Sequence, residues 1–190
     1  MSSLFIGRFQ PFHLGHLSVI QDVIGDIVKP GKGVNMLKKA QRNPKKNFLF
    51  IMIGSADKNF QPTNPFTAGE RFQMIRLALD EAQIPHDCYA IVPIPDIEDY
   101  ALWPYHVATY LPPFERIYTG SSVVKMLFEN ANKKRKNPWQ IIDVTKNLKI
   151  SATKIRNLIL QGKKWEHLTP KSVTKMITEL DIGKRLKKVL

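Results

Sequence analysis

Short apolar segments of strand length alternate along this chain with segments whose apolar residues have helical spacing. The apolar runs occupy residues 3–7, 47–56, 88–95, 116–120 and 139–144. The run at 47–56 is continuously apolar, which is typical of a strand buried on both faces. Regular alternation of strands and helices predicts an α/β fold: a Rossmann-like, doubly wound parallel sheet of about five strands with helices on both faces.

The helical segments have recognisable start and stop signals. Thr67 and Glu70 have capping-box spacing at the start of a helix over 67–82, and Gly162 ends a helix over 151–162. Further helices are predicted at 15–28, 104–111, 122–130 and 170–180, with the basic tail as one more. Because only helices are predicted in the last part of the chain, we expect a small C-terminal helical region at about 150–190.

Length and composition favour a single α/β domain over residues 1–190. The chain is 43% hydrophobic, which suits a globular protein with a substantial core. No apolar run approaches the roughly 18 residues that cross a bilayer, and no secretory signal pattern is present near the start. The only cysteine, Cys88, excludes an intramolecular disulfide. We therefore expect a cytoplasmic protein with no membrane partner.

Positive charge dominates the sequence, with a formal net charge of +13. Such a balance favours anionic partners such as nucleotides or nucleic acid. One basic insertion at 29–46 contains Lys and Arg residues but no acidic one. Three interpretations of it stay open: a solvated loop, a contact between subunits, or an electrostatic funnel for an anionic substrate.

Three predicted strands end in glycine, at Gly7, Gly54 and Gly120. The carboxyl ends of parallel strands meet at one edge of the sheet, where ligands bind in folds of this class. Glycine at such a position lets a ligand approach the backbone closely. The sequence thus predicts a ligand crevice beside these three residues.

The segment between the first strand and the first helix has the composition of a phosphate site. Unpaired N–H groups and a partial positive charge at a helix start attract phosphate. Gly15 leaves room there, His13 and His16 can donate hydrogen bonds to the same oxygens, and Arg8 adds a full charge. On these residues alone, a pair of purely structural histidines is the alternative.

Several collinear segments resemble one enzyme family. "HLGH" at 13–16 and "ISATKIR" at 150–156 match the HxGH and ISxTxxR elements of the nucleotidyltransferase superfamily. Longer segments at 7–17, 64–75, 93–103, 111–120 and 162–173 resemble the archaeal-type nicotinamide mononucleotide (NMN) adenylyltransferases. These blocks cover most of the chain apart from 29–46 and 130–149.

The resemblance implies the reaction and its partners. The family joins NMN to the AMP part of ATP, giving NAD and pyrophosphate, by direct in-line attack without a covalent enzyme intermediate. Mg²⁺ would accompany the triphosphate, held mostly by phosphate oxygens and water, so no protein residue is expected to ligate a metal. A homo-oligomer is expected, and nucleic acid is not an expected partner.

The resemblance also assigns roles to residues. As catalytic residues it implies His13, His16 and Arg156, with Arg156 stabilising charge on the departing pyrophosphate. For ATP binding it implies Gly7, Arg8, Phe9, His13, Gly15, His16, Gly120, Ser151, Thr153 and Arg156. For NMN binding it implies Arg71, Asp96 and Trp103.

Some positions depart from the family pattern. Ser121 replaces an expected Asn, Ala152 replaces a Gly, and Tyr100 stands where an Asn is common. These changes affect the nucleotide pockets and leave the expected phosphate-binding residues in place. Two alternatives therefore stay open: another nucleotidyltransferase of this fold, such as an FMN or phosphopantetheine adenylyltransferase or a cytidylyltransferase, and a basic nucleic-acid-binding protein.

Overall fold

The computed structural model describes residues 2–27, 48–144 and 150–189. In them, five parallel strands form one sheet in the order β3-β2-β1-β4-β5. The strands are β1 (Ser2–Gly7), β2 (Phe48–Ile53), β3 (Tyr89–Pro93), β4 (Arg116–Thr119) and β5 (Gln140–Asp143). The predicted parallel sheet is confirmed. Its strand order reverses between β1 and β4, so the ligand-binding switch point of the fold lies at their carboxyl ends.

Seven α-helices connect and cover these strands in the described part of the chain. They are α1 (Leu14–Ile27), α2 (Ala68–Glu81), α3 (Trp103–Thr109), α4 (Ser122–Asn132), α5 (Ala152–Leu160), α6 (Lys171–Glu179) and α7 (Ile182–Val189). The predicted helices are confirmed within a few residues at their ends. Helix α3 begins one residue before Pro104, which its first turn tolerates because the proline N–H would be unpaired there.

Alternate residues of the central strands pack on opposite faces of the sheet. Phe5 and Ile51 belong to one apolar cluster, which receives side chains from α1, α2, α6 and α7. Leu4 and Phe50 belong to a second cluster, which receives side chains from α3 and α4. The helices therefore lie on both faces, as the continuously apolar strands predicted.

The start of α2 is fixed by the predicted capping box. Thr67 Oγ1 accepts from the Glu70 N–H at 3.1 Å, and Glu70 Oε2 accepts from the Thr67 N–H at 2.9 Å. The same Glu70 oxygen lies 2.7 Å from Arg185 Nη1, which attaches α7 to this helix start. The C-terminal helices thus pack directly on the sheet domain.

Two expectations from the sequence concern the basic insertion and membrane-spanning segments. The basic insertion at 29–46 lies outside them. No helix in the described ranges is long and apolar enough to span a membrane.

Candidate active site

The loop after β1 turns sharply towards α1. Phe9 has a positive φ of 52°, and its buried ring packs edge-on against Phe5 at 5.6 Å. A Cβ on Gly7 would lie 2.7 Å from the Phe9 ring. Gly7 is therefore required by this turn, a reason different from the ligand approach that the sequence suggested. The Phe9 side chain, 1% exposed, is not placed to contact a nucleotide.

His13 and His16 form a reciprocal cap at the start of α1. The His16 N–H donates to His13 Nδ1, and the His13 N–H donates to His16 Nδ1, each at 3.3 Å. The His13 carbonyl also accepts from the N–H groups of His16 and Leu17. The two rings stack with centroids 3.5 Å apart and an interplanar angle of 16°. This is a capping-box arrangement in which imidazoles replace the usual hydroxyl and carboxylate.

The environment keeps both imidazoles neutral at physiological pH. Burial lowers the pKa of His13 to about 4. Burial, together with repulsion from His13, holds the pKa of His16 well below its ordinary value. Because each Nδ1 accepts a backbone hydrogen bond, we assign the proton of each ring to Nε2. The helix start therefore presents two neutral N–H donors.

The start of α5 is brought to the same loop. Ser151 Oγ accepts from the Lys154 N–H at 3.1 Å and caps the helix. Arg156, one turn further on, donates from Nη1 to the Gln10 carbonyl at 2.7 Å and from Nη2 to Thr153 Oγ1 at 3.2 Å. An arginine has five N–H donors, so three of them are not used by these two bonds. The ISATKIR motif thus contacts the loop that leads into HLGH.

Gln10 fixes this loop to a third segment. Its side-chain amide donates to the Phe66 carbonyl at 3.0 Å, and its Oε1 accepts from the Phe66 N–H at 2.9 Å. Gln10 is buried, as is the side chain of Phe66. One residue therefore links the histidine loop, the segment before α2 and, through its carbonyl, Arg156.

A cavity of about 590 Å³ opens beside this loop at the carboxyl ends of the strands. The expected site residues that line it are Gly7, Arg8, Asp96 and Trp103. Gly54 and Ser121 line it as well, whereas Gly120 lies next to it at the end of β4. His13, Gly15, His16, Ser151, Thr153 and Arg156 do not line it. The geometry therefore divides the expected residues between this cavity and the two neighbouring helix starts.

Trp103 is both a core residue and part of the cavity wall. It is 6% exposed and packs edge-on against Phe128 at 5.9 Å. Asp96 lines the same cavity, and its Oδ2 is 3.4 Å from Lys58 Nζ. Its N–H donates to Asp57 Oδ1 at 3.0 Å, which joins the loops after β2 and β3.

Arg71 is not placed to contact a phosphate. Its side chain is fully buried. Its five N–H groups donate to the carbonyls of Arg8, Gly54, Ser55, Lys58 and Thr67 at 2.9 to 3.5 Å. No donor is left for a substrate, so Arg71 instead fixes the backbone of two loops that line the cavity. The NMN contact expected from the sequence is not formed by this arrangement.

Sequence reasoning did not single out three residues that organise the site. Gln10 lay inside a matched block, but nothing in the sequence showed its contact with Phe66. Asp57 and Lys58 follow the Gly54 turn, which was the only available signal. Their roles depend on the approach of the β3 loop, which the sequence does not specify.

Comparison with known proteins agrees with this architecture. The family model described as cytidylyltransferase-like matches residues 34–158. The structure is similar to a bifunctional NMN adenylyltransferase/ADP ribose pyrophosphatase from Francisella tularensis, with a TM-score of 0.74 at 22% identity over 99% of this chain. A structure of that protein with AMP and a manganese ion gives a TM-score of 0.70 at 25% identity. The chain spans about half the length of the Francisella protein, 52% and 51% in the two structures.

Curated relatives match over almost their whole length. The nicotinamide-nucleotide adenylyltransferase of Methanococcus aeolicus is 35% identical over 189 residues, covering 100% of this chain and 95% of the relative. That of Ignicoccus hospitalis is 37% identical over 192 residues, covering 100% and 98%. The fold and the paired helix starts define a nucleotidyltransferase of the cytidylyltransferase-like class. Within that class, the chain belongs to the nicotinamide-nucleotide adenylyltransferase family.

Proposed function

We propose that this chain binds ATP and NMN and converts them to NAD and pyrophosphate. The observation that carries the proposal is the contact of α5 with the loop that leads into α1, where Arg156 donates to the carbonyl of Gln10, three residues before the stacked His13–His16 pair. Helix N–H groups, two neutral imidazole donors and an arginine suit a triphosphate. The adjoining cavity, with Trp103 and Asp96 in its wall, suits the acceptor nucleotide.

The proposed reaction is an in-line displacement at the α-phosphorus of ATP. An oxygen of the NMN 5′-phosphate forms a bond to that phosphorus while the bond to the bridging oxygen of pyrophosphate breaks. Negative charge grows on the equatorial oxygens and on the leaving group, and fixed donors stabilise it. We assign His16 and His13 Nε2–H to the triphosphate, with His16 at the α-phosphate, and Arg156 to the departing pyrophosphate.

Other residues position the substrates in this scheme. The triphosphate is contacted by Arg8 and by the N–H groups of α1 near Gly15. At α5 it is contacted by Ser151 and Thr153. Gly120 lies beneath the adenosine. Trp103 offers a ring face to the nicotinamide ring, a pyridinium cation for which Trp is the best aromatic partner. Asp96 supplies a nearby negative charge.

A divalent metal would enter as part of the ATP substrate. The described residues contain no group of three or more His, Cys, Asp or Glu side chains that could hold a metal ion. In this scheme phosphate oxygens and water supply most ligands, as is usual for Mg²⁺ bound to nucleotides. The manganese ion in the AMP complex of the Francisella protein supports a divalent metal, and we propose Mg²⁺.

Acceptor specificity provides the direct test. Pyrophosphate release from ATP is measured with NMN, nicotinate mononucleotide, FMN or phosphopantetheine as acceptor. We expect rapid release with NMN and formation of NAD. His16→Ala should lower kcat by at least about 10²-fold, the scale for losing one fixed donor to a developing oxyanion. The exposed His167, changed to Ala, is the matched control and should leave kcat unchanged. Turnover only with FMN or phosphopantetheine would reject the proposal.

We also infer a cytoplasmic location, because a chain with a single cysteine can form no intramolecular disulfide, which fits a reducing compartment. Cys88 is buried, and burial together with Asp87 raises the pKa of its thiol to about 11. The thiol is therefore protonated and unreactive at neutral pH. The homo-oligomer and the single domain over 1–190 stay predictions.

A further inference from the structure

The cavity contains few positive charges. Among the described residues that line it, the cations are Arg8 and Lys58, and the carboxylates are Asp57, Asp96 and Glu98. An acceptor mononucleotide carries a phosphate that must lie in or beside this acid-rich wall. Arg71, the cation expected to bind that phosphate, has all its donors committed to backbone carbonyls.

Lys58 has a fixed backbone and a partly exposed side chain. Its N–H donates to the Ser55 carbonyl at 3.1 Å, and its carbonyl accepts from Arg71 Nη2 at 3.5 Å. The Ser55 carbonyl is held by Arg71 as well, at 3.1 Å. The Lys58 side chain is 45% exposed. The buried arginine therefore builds the turn from which Lys58 extends into the cavity.

Within the described residues, the ammonium group is held by one exchangeable ion pair. Lys58 Nζ lies 3.4 Å from Asp96 Oδ2, and both side chains are partly exposed. Solvated pairs of this kind contribute little to stability, so a phosphate can replace the carboxylate as partner of the lysine. Breaking the pair also frees Asp96 for a second, positively charged group. The two members of the Lys58–Asp96 pair can thus serve an acceptor separately: the lysine as counter-charge of the phosphate, and the aspartate as counter-charge of the pyridinium ring.

We propose that Lys58 binds the 5′-phosphate of the acceptor mononucleotide, a role that the sequence motifs gave to Arg71. The assignment rests on the proposed function, and it leaves Arg8, Arg156 and the two histidines to the triphosphate. A cation beside the acceptor phosphate favours its dianionic form, which is the nucleophile, and reduces repulsion between it and ATP. Lysine, a point charge on a flexible stem, can follow the phosphate as the reaction proceeds.

The test compares two ligands that differ only in the phosphate. Binding of NMN and of nicotinamide riboside to the full chain is measured by calorimetry for the wild type, Lys58→Gln and Lys58→Arg. We expect Lys58→Gln to weaken NMN binding about tenfold or more and riboside binding less than about twofold, on the scale of one charge-assisted hydrogen bond. Lys58→Arg should restore most of the NMN affinity.

A second lysine provides the matched control. Lys175 forms a surface ion pair with Glu179 at 3.8 Å and does not line the cavity. Lys175→Gln makes the same change of charge and should leave both affinities unchanged. Melting curves of each variant check that the fold is retained.

Two results would overturn the assignment. If Lys58→Gln weakens both ligands equally, the lysine only shapes the pocket; if it weakens neither, the lysine does not take part. In both cases wild-type formation of NAD from ATP and NMN leaves the proposed function standing. A wild type that forms no NAD rejects the proposed function, and the role of Lys58 with it.

Discussion

Arg156 Nη1 donates to the carbonyl of Gln10 over 2.7 Å, although 146 positions separate the two residues in the chain. The bond joins the start of α5 to the loop that leads into α1. It holds the arginine against the loop that leads to the imidazole pair, and within the described residues the guanidinium makes one further bond, to Thr153 Oγ1. Because the Gln10 side chain is also bonded to Phe66, the carbonyl that receives Arg156 is itself held in place.

Arg156 should therefore affect the chemical step more than folding. We expect Arg156→Gln to lower kcat by about 10²-fold or more, because a fixed cation near the leaving group is lost. Steady-state kinetics with saturating ATP and NMN measure this. Arg76→Gln is the control, since Arg76 pairs with Asp80 on the surface, and its kcat should be that of the wild type. An Arg156→Gln enzyme with unchanged kcat would place the arginine outside the chemistry.

The buried imidazoles should make stability depend on pH. The pKa of His13 is about 4 in the folded protein, below its ordinary 6.5, so the unfolded chain binds more protons between these values. The free energy of unfolding should be fully retained above about pH 6.5 and should fall as the pH is lowered towards 4. Urea titrations at a series of pH values measure this slope.

Replacing one imidazole isolates its share of that slope. His13→Asn keeps a side-chain acceptor suited to a helix cap but removes one titrating group. The pH dependence between 6.5 and 4 should become shallower, with His16 still contributing. A slope identical to that of the wild type would show that His13 is protonated in the folded state near its ordinary pKa.

Trp103 should have two separable effects. Trp103→Ala should lower the free energy of unfolding by about 3 kcal/mol or more, because it opens a cavity against Phe128. It should also raise KM for NMN much more than KM for ATP. Trp139→Phe serves as control, since Trp139 packs in the same apolar cluster without lining the cavity. Equal changes in both KM values for Trp103→Ala would mean that its role is packing alone.

Arg71→Lys should be destabilising even though it keeps the positive charge. Lysine has three donors, so at least two of the five bonds that the Arg71 side chain makes to carbonyls are lost. Each lost hydrogen bond costs about 1 kcal/mol, and more where the carbonyl keeps no other partner, which should appear as a lower urea midpoint. The same change at exposed Arg76 should have little effect. A normal midpoint with a raised KM for NMN would support direct phosphate binding by Arg71.

Local signals predicted the strands and the helices well. Continuous apolar runs gave the strands, and Thr67 with Glu70 gave the start of α2, because both depend on neighbouring residues. The failures are long-range. Arg71 lies in an ordinary helical sequence, and its burial follows only from the approach of the loops after β1 and β2. For Lys58 the only local signal was the Gly54 turn that precedes it, because its proposed role depends on that arrangement.

The sequence by itself determined the parallel α/β sheet, the capped helices and the family, since hydrophobic periodicity, capping residues and short motifs are encoded within a few positions. The tertiary structure alone decided which cations line the cavity and which are committed to backbone carbonyls. A guanidinium can serve a phosphate or a set of carbonyls equally well, and the choice depends on which groups the packed chain brings within hydrogen-bonding distance.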